Sequence, residues 1–144
     1  MKLRNLFLIL LLFYYGITFA QTKTIGTIFT KDEANTLYGN VIFMVTINVS
    51  ELDSVLSQTQ NVIMFNIMNK KLVLLGDNRK VISSDTVSIS PTDVFAVCSK
   101  SKLLELLNYG DGKQINFEIR LSHPTITYGM HTLEEMNFCP PICF

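Results

Sequence analysis

Residues Asn61 to Leu75 read N-V-I-M-F-N-I-M-N-K-K-L-V-L-L, two apolar runs joined across a short polar break at Asn69-Lys70-Lys71. Runs of this length, rich in β-branched residues and bounded by turn formers, predict a hairpin at the centre of a sheet. Ile63, Phe65 and Ile67 make one face of its first strand wholly apolar. Val62, Met64 and Met68 make the other nearly so, with Asn66 the exception. A strand apolar on both faces needs cover on both sides.

Upstream, Thr24 to Phe29 predicts a first strand. Thr30-Lys31-Asp32-Glu33 then carries the hydroxyl and the third-position carboxylate of a capping box, and Gly39 can close the short helix after Tyr38. Val41 to Val49 is rich in β-branched residues and reads as an interior strand, too apolar for an edge. Ser50 and Asp53 open a second helix that presents Leu52, Val55 and Leu56 to the sheet.

Downstream, Gly76-Asp77-Asn78 ends the hairpin, and Arg79 to Ser90 predicts a marginal strand flanked by loops. Val94 to Cys98 predicts a buried strand. Ser99 caps a third helix with the apolar stripe Leu103, Leu104, Leu106 and Leu107, ended by Gly110. Gln114 to Leu121 alternates, with Asn116, Glu118 and Arg120 expected on a wet face. Pro124 to Tyr128 and His131 to Met136 continue the meander through Gly129. This order of elements gives an α+β domain, a mostly antiparallel sheet with about three short helices packed on one face.

The first 20 residues have a basic start at Lys2 and Arg4, an apolar run from Leu6 to Tyr15, and a small-residue exit at Ala20. That order predicts a secretory signal peptide, and an exported protein that is periplasmic or extracellular. The apolar run is half of the roughly 20 residues that a membrane-spanning helix needs, so no span is expected after cleavage. The chain then divides into a domain over 21–136 and a Cys/Pro-rich tail over 137–144. Twelve basic and twelve acidic side chains become ten and twelve without the leader, a balance of −2. With no basic patch left, no nucleic-acid partner is expected.

Three cysteines in an exported chain cannot all pair internally. Cys98 sits in an apolar strand, which leaves Cys139 and Cys143 as the candidate disulfide; a bond from Cys98 to a tail cysteine is the other arrangement. Alternatively, His123 and His131 with Cys139 and Cys143 offer imidazole and thiolate ligands of the kind that hold zinc or copper, although H-x7-H-x7-C-x3-C has no finger-like spacing. Ser99 and Lys102 spell S-x-x-K, but no S-D-N or K-T-G follows, so a helix cap is the expected role. Gly110-Asp111-Gly112-Lys113 lacks the spacing of a phosphate loop. Asn48-Val49-Ser50 spells a glycosylation sequon and is expected to cap a helix.

With no motif implying an enzyme or a cofactor, the expected function is binding: a partner-recognition module, or an inhibitor or immunity type of protein. The partner is an unknown protein or a second copy. Val62, Met64 and Met68 are its candidate apolar interaction face. The alternative is a metal- or thiol-dependent protein working through the tail and the two histidines.

Overall fold

A computed structural model describes residues 24–83, 87–121 and 123–140. Along the chain the elements are β1 (Thr27–Thr30), α1 (Lys31–Tyr38), β2 (Val41–Asn48), α2 (Val49–Leu56), β3 (Val62–Met68), β4 (Lys71–Leu75), β5 (Phe95–Ser99), α3 (Lys100–Leu107), β6 (Gln114–Arg120), β7 (His123–Tyr128), β8 (His131–Glu134) and β9 (Asn137–Cys139). The class is α+β, as the order of elements predicts. The strands divide into two antiparallel sheets rather than one: β1-β8-β7-β6-β2, and β4-β3-β5-β9. The leader at 1–20 lies outside the described residues.

The predicted hairpin forms. Met68 pairs with Lys71, so Asn69 and Lys70 alone make the turn, and both have positive φ (52° and 64°). Positive φ at both central residues is the backbone of the turn whose twist matches paired strands, here adopted without glycine at the second position. Gly76 to Arg79 then forms a tight turn that returns the chain against β4, where Leu75 bridges Val81.

One main core lies between the sheets. Ile63, Phe65, Ala96 and Cys98 face it from one sheet, and Ile115, Phe117, Ile126 and Leu133 from the other. Phe65 and Phe117 meet edge to face at 5.1 Å across the interface, a geometry contributing about 0.5–1.5 kcal/mol beyond burial. α2 carries the chain from β2 to β3 and α3 from β5 to β6, so each crosses between the sheets. Their Leu52, Val55, Leu56, Leu103 and Leu106 join the same core. Lys100 Nζ donates to the carbonyls of Leu56 (2.8 Å) and Thr59 (2.9 Å), placing a cation at the negative end of α2.

The second face of the hairpin is covered within the chain, contrary to the expectation of an open apolar face. Val62 and Met64 are buried and Met68 is half-buried. Ile25, Val73, Leu75, Phe95, Val97 and Cys139 form a second apolar cluster with Val62 and Met64, against which Met68, Val87 and Ile89 pack. The cover comes from neighbouring strands and from loops too irregular to anticipate. Part of it is the tail itself: Asn137–Cys139, set apart from the domain in the sequence, pairs with β5 as β9.

Two other expectations are reversed. β2 is an edge strand, not an interior one, and pairs with β6 alone among the described residues. The outward face of β6 is not wet: α1 lies over it, and Glu118 and Arg120 are buried. The capping box that opens α1 is complete, with Thr30 Oγ1 accepting from Glu33 N–H and Glu33 Oε2 accepting from Thr30 N–H.

Candidate functional site

A groove of about 580 Å³ lies between the edge strand of one sheet and the edge strand of the other. Val45 and Ile47 of β2, Val55 of α2, Leu72 and Leu74 of β4, and Ile82 supply apolar lining. Glu51, Ser54, Gln58, Lys70, Lys71 and Ser83 make it polar elsewhere. β2 and β4 are the strands at which their sheets end, and Glu51, Ser54 and Val55 of α2 also line the groove. Ser83 Oγ, on its wall, is buried without a hydrogen-bond partner.

β2 exposes three consecutive large apolar side chains. Ile42, Phe43 and Met44 are 62%, 38% and 54% exposed. A bulge at Ile42 shifts the register with β6 between Val41 and Phe43. At the end of the sandwich away from α2 and α3, a second pocket of about 220 Å³ is lined by Phe65, Val94, Ile119, His123, Pro124 and Phe138, among others.

Of the residues proposed as metal ligands, His123, His131 and Cys139 are described, and these three form no metal-binding cluster. His123, on β7, stacks on Tyr38 of α1 with ring centroids 4.8 Å apart. His131, on β8, packs on Tyr109 beyond α3 at 4.4 Å. Cys139 lies in the other sheet, where Arg79 Nη1 donates to its carbonyl and to Sγ, both at 3.3 Å. No cluster of three His, Cys, Asp or Glu side chains suited to a metal ion exists among the described residues. Cys143 lies outside them. Cys98 is a free, buried thiol, so it is not the partner of a tail cysteine.

The S-x-x-K pair is also apart. Ser99 Oγ accepts from Ile25 N–H at 2.7 Å, and Lys102 pairs with Glu105 at 2.8 Å. Ser99 and Asn48 occupy helix N-cap positions, but neither side chain makes the capping bond expected of it. Ser99 instead ties the chain ahead of β1 to the second sheet.

A buried polar layer under α1 had no distinct signal in the sequence beyond an alternation that read as solvent-facing. Arg120 Nε donates to Glu134 Oε1 (3.1 Å), and its Nη1 donates to Asn35 Oδ1 (2.7 Å) and to the Gly39 carbonyl. Thr125 and Thr132 hydroxyls donate to the same Glu134 oxygen at 2.8 and 2.9 Å. Thr127 donates to Glu118 Oε2 at 2.6 Å. Burial raises the Glu118 carboxyl above its ordinary range, opposed by the Thr127 bond and by Arg120. Glu134 Oε2 makes no hydrogen bond and faces His123 Nε2 at 3.6 Å. This layer fixes α1 to the sheet and lies away from the groove.

Comparison with family models, with curated proteins and with solved structures finds no match. The groove and the exposed strand beside it are therefore read on their geometry alone.

Proposed function

We propose that the chain is an exported recognition module that binds an extended, apolar segment of a partner protein in the groove between β2 and β4. The observation behind this reading is the groove's construction: apolar side chains from two sheet edges, with polar groups around them. Strand side chains recur every two residues on one face, so an extended segment can place alternate apolar groups along such a lining and leave the others in water. No nucleophile paired with a base, no assembled metal ligand set and no phosphate-binding loop accompanies it among the described residues. Export rests on the basic, apolar and small-residue order of residues 1–20.

In the same reading Cys139 pairs with Cys143 across Pro140-Pro141-Ile142. Elimination supports it, because Cys98 is free and buried.

The test is comparative capture from the compartment into which the protein is exported. Leu72→Arg and Ser54→Lys, one in the lining and one at the rim, should lose a partner that the native protein retains while keeping its circular dichroism spectrum and melting temperature. Identical partner sets for the native and both variant proteins would remove the groove from consideration.

A further inference from the structure

We propose that β2 is also a self-association strand: two copies pair β2 to β2, antiparallel, joining their five-stranded sheets across a two-fold axis near Val45. The inference goes beyond partner binding in the groove and starts from a comparison of sheet edges. β1, β4 and β9 are short, with four, five and three residues, and Ile82 and Ser83 N–H groups already donate to Leu74 at one end of β4. β2 has eight residues and neither a charge nor a proline from Val41 to Asn48. Monomeric proteins protect a long edge with charged side chains, prolines or cover. Here only the bulge at Ile42 interrupts it, and among the described residues no strand pairs with the other edge of Phe43 to Asn48.

A second copy fits this edge by symmetry. Centred on Val45, the pairing sets Phe43 against Ile47 and Val45 against Val45 on one face, and Met44 against Thr46 on the other. Every match is neutral, and apolar meets apolar on the face that continues the core. An isologous contact of this kind uses both copies' β2 edges at once and closes, so it yields a dimer rather than a growing fibre. It also places the two grooves on either side of the axis, since Val45 and Ile47 line them.

Sedimentation velocity of the purified protein across the micromolar range tests this. The native protein should be dimeric. Thr46→Lys puts two lysines near one another across the axis on a desolvated edge, and should weaken the dimer at least about tenfold. Thr46→Glu should do the same, and an equimolar mixture of the two variants should recover a heterodimer. Thr46 is exposed and its bonded neighbour Asn116 is uncharged, so the fold tolerates either charge. Should circular dichroism show otherwise, Met44→Lys on the same exposed face gives the same readout. A native protein monomeric throughout the range, or a folded Thr46→Lys protein as dimeric as the native one, overturns the proposal. Either result leaves groove binding standing, because Leu72→Arg tests that separately.

Discussion

Cys98 and Cys139 lie on opposite faces of the same sheet. Phe95 pairs with Cys139, and both belong to the outer apolar cluster with Val97, whereas Cys98 and Ala96 face the core between the sheets. No side-chain rotation carries a disulfide through the backbone of a strand.

The thiols should therefore count in a fixed way. Burial pushes the Cys98 thiol up to about 12, so it is protonated at neutral pH as well as inaccessible. An alkylating reagent should leave it unmodified in the native protein. In denaturant without reductant, intact mass should show one modification, and after reduction three. Three modifications in denaturant alone would sink the Cys139–Cys143 pairing.

Asp77 sets an acid limit on stability. Its carboxylate loses solvation, but the N–H groups of Gln60 (2.7 Å), Asn61 (3.2 Å) and Val62 (3.1 Å) outweigh that loss and hold its pKa below the ordinary 3.8. A depressed carboxyl contributes stability that is full above its unfolded pKa and is lost as pH falls through the folded one. Asp77→Ala should cost about 1–3 kcal/mol at neutral pH. In urea titrations the difference from the native protein should shrink below about pH 4. A constant difference down to pH 2 would show that the charge is not involved.

Glu118 has the opposite sign. Desolvation raises its pKa, so its contribution is most favourable at low pH and is lost as pH rises through the folded value. Glu118→Gln keeps an acceptor for the Thr127 hydroxyl and removes the buried charge. The variant should be more stable than the native protein at pH 7, with the gain shrinking toward pH 4 in the same titrations. A loss of stability at pH 7 would mean that attraction to Arg120 outweighs burial.

The elements that could be read in advance are those whose signals are local. The hairpin at 61–75, the Thr30 and Glu33 capping box and the Leu103 and Leu106 stripe each lie within a few residues of sequence. The partition into two sheets does not, because β1 finds β8 and β5 finds β9 across long stretches of chain. Composition could not separate an interior strand from an exposed edge at Val41–Asn48. Alternation placed Glu118 and Arg120 on the correct side of β6 without revealing that α1 would cover them. The groove was invisible for the same reason: Val45, Val55 and Leu72 come from three elements, and their meeting is a property of the tertiary arrangement. Val62 and Met64 looked short of cover because Ile25 and Cys139, distant in sequence, supply part of it.

Glu135 and Met136 carry the chain from β8 in one sheet to β9 in the other, with Glu135 held at a φ of 55°. Nine residues, His131 to Cys139, thus supply a strand to each sheet. Peeling this segment away strips β1 of its only described strand partner and β5 of one of its two. Neither sheet can open there as an independent unit, and cooperativity between the two halves of the sandwich is built into this one crossing.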